Sequence, residues 1–142
     1  MAWDLGSQLL ASSTLTVSGS STGVAPDGTT PAGIRSGVAL AQMWVAAVTG
    51  TNPTLDMFVE ESDDNSTWFE AGKFNAGVPA TAAALIVATK TTTSQYQCVF
   101  TRKRTYLRAR WVIGGSASPT FNGVIINTRA LGIQIPDVPS AT

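Results

Sequence analysis

Two stretches of this chain, Leu55 to Phe74 and Thr101 to Val124, alternate apolar and polar residues with a period of two, as half-buried β-strands do. In the first, Leu55-Asp56-Met57-Phe58-Val59-Glu60-Glu61 leads into Ser62-Asp63-Asp64-Asn65-Ser66 and returns through Thr67-Trp68-Phe69-Glu70. In the second, Arg104 to Ile113 reaches Gly114-Gly115 and returns through Pro119 to Ile126. Each is expected to be a β-hairpin, one acidic and one basic, and the pair sets an all-β class built on antiparallel sheet. Alternation also assigns faces. Leu55, Met57 and Val59 point one way, with Asp56, Phe58 and Glu60 opposite; Leu107, Ala109, Trp111 and Ile113 oppose Tyr106, Arg108, Arg110 and Val112.

The rest of the chain extends this pattern. Ser13 to Val17 alternates as a first strand would, behind an N-terminal arm at residues 1–12. Residues 18–33 are Gly, Ser, Thr, Pro and Asp almost throughout, with Pro26-Asp27-Gly28 as a turn, and predict a long loop. Ile34 to Val48 is expected to be a strand with Val38, Leu40, Gln42, Trp44, Ala46 and Val48 on one face, although its alanines leave a helix open. Ala84 to Ala88 predicts a core strand, and Gln95 to Phe100, Phe121 to Ile126 and Ala130 to Ile135 supply further pairings before a tail at 136–142. Eight or nine short strands in a single body at 34–135 describe an antiparallel β-sandwich, jelly-roll-like, with an extended N-terminal arm and a long loop.

Composition narrows the chemistry. Charged residues make up 13% of the 142, about half the usual share of about 25%. A surface so poor in charge opposes close approach weakly, which favours a subunit of an assembly. Net charge is zero, so no overall field draws the chain to nucleic acid or to an anionic membrane. The longest apolar window, Val38 to Val48, is too short to cross a bilayer as a helix. An acid at Asp4 stands where a secretion signal carries basic residues, so cytosolic synthesis is expected. The sequence has no histidine, the commonest general base and metal ligand, and its one cysteine, Cys98, reads as a small buried hydrophobe. Neither catalysis nor a cofactor or metal is expected.

The remaining clusters have structural readings. Asp63-Asp64-Asn65 lacks the alternate oxygens, glycine and distant glutamate of a calcium loop and is expected to bond its own backbone. Glu60 and Glu61 are adjacent in a strand, so they face opposite ways and cannot flank one substrate bond; a solvated sheet edge is expected. Arg102-Lys103-Arg104, Arg108 and Arg110 suggest a phosphate patch, yet Asp56, Glu60, Glu61 and Glu70 on neighbouring strands favour a charge ladder across the sheet or between subunits. Trp3, Leu5, Leu9 and Leu10 form an apolar terminal segment that must pack on its own sandwich or on a neighbour. Trp3, Leu5, Leu9, Leu10, Asp56, Glu60, Arg108 and Arg110 are the candidate contacts with a partner or a second subunit.

The run Phe58-Val59-Glu60-Glu61-Ser62-Asp63-Asp64-Asn65-Ser66-Thr67-Trp68, followed by Tyr106-Leu107-Arg108-Ala109-Arg110-Trp111, resembles small β-sandwich proteins of tailed-bacteriophage heads. Among them it is similar to jelly-roll capsid cement or decoration proteins, a group that includes one from a Bordetella phage. The likeness spans Leu55 to Ile126. It implies a homo-oligomer, trimer before dimer, seated on the outer capsid surface of the virion and bridging copies of the major capsid protein. A tail or head-fibre component is the alternative within the same class. A carbohydrate-binding module using Trp68, Phe69 or Tyr96 as stacking platforms is the alternative outside it.

Overall fold

The computed structural model describes residues 7–25, 37–74 and 84–131. Their regular structure is all β: β1 Ser7–Leu15, β2 Gly19–Ser20, β3 Gly37–Val45, β4 Ala47–Ser62, β5 Phe69–Lys73, β6 Ser94–Arg102 and β7 Tyr106–Ala130. Every pairing is antiparallel, in the order β5-β4-β7-β3-β6, with β1 and β2 both on β7.

The 25-residue β7 is the axis of the molecule. Along one edge it pairs with β4 and then β3, from Ser62 opposite Tyr106 to Ala39 opposite Ala130. Along the other edge lie β1, from Ser7 opposite Thr128, and β2, with Gly19 opposite Trp111. The long ribbon then bends over itself, so that the sheet is nearly closed into a barrel. A left-handed glycine and a bulge make the bend. The first, Gly123 at φ +62°, stands in unbroken register against Ala46, between β3 and β4, and its absent Cβ would lie 2.8 Å from the Ala46 Cβ. The other brings Asn52, Ala117 and Ser118 into positive φ, where the β4–β7 register slips between Thr49 and Thr54.

The expected second hairpin does not form. Gly114 and Gly115 stay within β7, because residues on either side of them, Ile113 and Ser116, pair with Leu55 and Thr51 of the same β4 strand. A turn-prone pair beside a continuous ladder partner bulges instead of reversing. Among the described residues the strands number seven, two of them long, and the expected strand Ala130 to Ile135 lies outside those residues beyond residue 131. Leu55, Met57, Val59, Leu107 and Ala109 point inward and are buried, on the faces that alternation assigns.

In β3 the inward set is Ala39, Ala41, Met43 and Val45; Val38, Leu40, Gln42 and Trp44 occupy the opposite face, where Leu40 is nevertheless buried. The core accepts alanine here because Phe74, Phe100 and Phe121 fill the same cluster. Burying each such ring contributes about 1.5–3 kcal/mol. Ala84 to Ala88 is not a regular strand. Ile86 alone exchanges two backbone hydrogen bonds with Leu55, at 3.0 and 3.2 Å, while Leu85 and Ile86 are buried and Val87 is exposed.

Of the expected arm, residues 7–12 lie in β1, and Leu9 and Leu15 enter the core. Of the expected loop, Gly19-Ser20 forms β2 and Val24 bridges to Leu107; its remainder from residue 26, like residues 1–6 and the tail, lies outside the described residues. Closure falls where Gly72 of β5 meets β6. A Cβ there would lie 2.8 Å from the Cys98 sulfur, so no larger residue fits without displacement.

Candidate functional site

The charged residues singled out in the sequence come together on the outer face of β4, β5 and β7. Register sets Glu60 opposite Arg108, Phe58 opposite Arg110 and Phe58 opposite Lys73. Glu60 Oε1 accepts from Arg108 Nε and Nη2, each at 2.8 Å, and Oε2 accepts from Arg110 Nε at 2.7 Å. Although it lies on the outward face, Glu60 is only 7% exposed. Two guanidinium groups and the aromatic layer above them exclude water from its carboxylate. Arg110 stacks on Phe58 at 4.0 Å and Arg108 on Trp68 at 4.3 Å, while Lys73 pairs with Asp56 at 3.3 Å. Arg stacked on an aromatic keeps its in-plane donors for the carboxylate, so both contacts form at once.

Trp68 is held from its other neighbours as well. The backbone at Gly23 lies against it so closely that a Cβ would stand 2.7 Å from the indole. Trp68 therefore covers the ion network and is not an open platform. Phe69 remains half exposed, with Arg104 above it at 4.2 Å, and Tyr96 packs partly against the core.

Glu61 points to the other side of β4 and, contrary to the expected solvated edge, is buried. Its Oε2 accepts backbone N–H bonds from Lys103 at 2.8 Å and Arg104 at 3.2 Å, which fixes the turn from β6 into β7. Arg102, wholly buried, donates Nε to the Arg104 carbonyl and Nη2 to the Thr105 carbonyl. Arg104 reaches Asp63 at 3.0 Å. The basic run is thus mostly a turn staple and not a cationic surface. Glu61 was detectable from parity, because it shares the inward phase of Met57 and Val59, where a carboxylate must find donors.

The acidic turn closes on itself, as its residue types imply. Asp64 Oδ1 accepts from the N–H groups of Thr67 at 2.7 Å and Ser66 at 2.9 Å and from the Ser62 hydroxyl at 2.9 Å. These bonds, led by that from Thr67, lower its pKa from 3.8 to about 2. Cys98 is buried, and desolvation, helped by the charge of Glu70, pushes its thiol up to about 11. Such a thiol is a packing group.

Of the apolar candidates, Leu9 is in the chain's own core and Leu10 packs against it, while Trp3 and Leu5 lie outside the described residues. A shallow groove of about 350 Å³ runs between Ser18, Gly19, Ser20 and Arg110, Trp111, Val112. Its floor is fixed by Trp111 Nε1 donating to the Val17 carbonyl at 2.9 Å and by Ile113 N–H donating to Ser18 Oγ at 2.9 Å. Among the described residues, no three His, Cys, Asp or Glu side chains gather as a metal site would require. Comparison with protein-family models, with characterised proteins and with solved structures finds no match to this chain.

Proposed function

We propose that the protein is a structural virion component, a capsid cement subunit of a tailed bacteriophage that binds the assembled major capsid lattice and stabilises the head. The observation that carries this reading is the internal neutralisation of the charged face, where one carboxylate, Glu60, engages both Arg108 and Arg110 beneath an aromatic cover. Charge so arranged stiffens a sheet and leaves no group poised for chemistry in that network. A rigid, charge-poor body suits a role of added contact area, and the sequence resemblance to head proteins points the same way.

Such a subunit acts by mass action. Binding the expanded lattice and not its precursor stabilises the expanded state by the difference in binding free energy. Repetition over many copies, and trimerisation, make modest contacts sufficient. The test is co-sedimentation of purified protein with expanded heads and with unexpanded proheads. Binding to expanded heads alone is expected; equal binding to both, or to neither, overturns the reading. Antibody labelling under the electron microscope is expected over the whole head, and label confined to the tail would assign the protein to the tail instead.

A further inference from the structure

The strands β1, β7, β3 and β6 turn a second face away from the core, and their registers align it in rows. Gln97 lies opposite Gln42, Gln42 opposite Asn127, and Asn127 opposite Gln8, so one row carries a side-chain amide on each of four strands. In the adjacent row Trp44 stands between Gln95 and Ile125, and in the row on the other side Leu40 stands between Val99 and Arg129. These residues lie on the face away from the core because their chain neighbours Ala41, Met43, Cys98, Ile126 and Thr128 are buried inward; Leu40 is itself covered, at 7% exposure, and the amide row and Trp44 are the accessible part.

Two properties set this face apart from the charged one. Arg129 is the only ionisable residue in the three rows. No hydrogen bond among the described residues engages the side chains of Gln8, Gln42, Gln95, Gln97 or Asn127. On the other face Glu60, Arg108 and Arg110 are all engaged with one another. Each free amide offers two donors and an acceptor without charge. Neighbouring strands are about 4.8 Å apart, so the amide row presents these groups along about 14 Å. The partly exposed indole of Trp44 lies beside that row.

A ligand matched to this surface is uncharged, extended and rich in groups that both donate and accept, with an apolar face to lay on an indole. A charged polymer would find little complement, and the exposed valines, Val38 and Val99, lie on the side of the amide row away from Trp44. We propose that this face binds a neutral oligosaccharide, Trp44 stacking on a sugar ring while Gln8, Asn127, Gln42 and Gln97 exchange hydrogen bonds with hydroxyls. Contacts of this kind are individually weak, and presentation on many copies would raise the avidity. The inference is independent of the capsid reading and survives its failure.

The test is an array of neutral and anionic glycans probed with the full chain, followed by titration calorimetry with the best neutral oligosaccharide. Trp44→Ala and the pair Gln42→Ala/Gln97→Ala are expected to weaken binding about tenfold or more. Trp44→Phe should retain measurable binding, which keeps the test open if the alanine variant misfolds. Trp68→Ala, on the charged face, should bind as the wild type does. Absence of any neutral hit, or unchanged affinity in Trp44→Ala, overturns the proposal. So does binding restricted to anionic glycans and abolished by Arg129→Gln. Sedimentation velocity closes the last route: if the Gln42/Gln97 variant turns an oligomer into a monomer, the face is a subunit interface and not a glycan site.

Discussion

Glu60 gathers two arginines on one carboxylate, and its energetic weight follows from its burial more than from the charges alone. Exposed ion pairs contribute about 0–1 kcal/mol, whereas hydrogen bonds to a charged group shielded from water contribute about 1.5–3 kcal/mol. Glu60→Gln keeps the shape, removes the charge and sets an amide donor against arginine donors. It is expected to lower stability by about 1–3 kcal/mol in urea unfolding. Combined with Arg108→Met, the loss should be clearly less than the sum of the single losses, because both changes remove one shared interaction. Asp64 provides a pH test at the same scale. Its pKa is depressed from 3.8 to about 2, so its grip on Ser66 and Thr67 is present above the unfolded value and is lost as pH falls through the folded one. The protection of the Thr67 amide against exchange, taken relative to the free peptide at the same pH, should therefore fall between about pH 4 and pH 2, and in Asp64→Ala it should be low at every pH. The residue types of this turn announced its self-bonding, since Asx side chains cap their own backbone. The burial of Glu61 was legible only through parity along β4.

At the scale of elements, the bends in the long ribbon decide the architecture. Gly123 holds a left-handed φ opposite Ala46, and there the inward phase of β7 shifts from Phe121 to Val124. Gly123→Ala adds both an unfavourable backbone conformation and a clash, and is expected to cost about 1–3 kcal/mol in thermal or urea unfolding. Ala46→Gly in the same chain should recover the clash portion alone, since the φ penalty remains. Local sequence signalled a glycine turn at Gly114-Gly115 and was silent about Gly123. Whether a turn-prone pair reverses the chain depends on its partner strand, and here β4 runs past both sides of it. Which face of β3 turns inward has a similar origin. Apolar residues lie on both of its faces, so alternation alone does not rank them, and packing with Phe74, Phe100 and Phe121 selects the face with the alanines.

For the whole molecule, the dominant fact is that the two ends of the described chain pair with one another, Ser7 opposite Thr128. Such distant pairing must close long loops before it is rewarded, so folding is expected on the millisecond-to-second scale typical of β-sandwiches. Removing residues 1–15 would strip β1 from β7, delete Leu9 and Leu15 from the core and leave an open edge along Val124 and Ile126. That variant is expected to lose cooperative thermal unfolding and to aggregate in sedimentation. By itself the sequence determined the all-β class, the inward residues Leu55, Met57 and Val59 of β4 and Leu107, Ala109 and Trp111 of β7, and the closed acidic turn, because each depends on a period of two or on bonds within a few residues. The tertiary structure alone decided that β7 runs unbroken through its glycines, that Glu60 bridges Arg108 and Arg110, and that four amides from four strands form one row. Those outcomes rest on register between segments that can lie more than a hundred residues apart, and register is set by the packing of the assembled core.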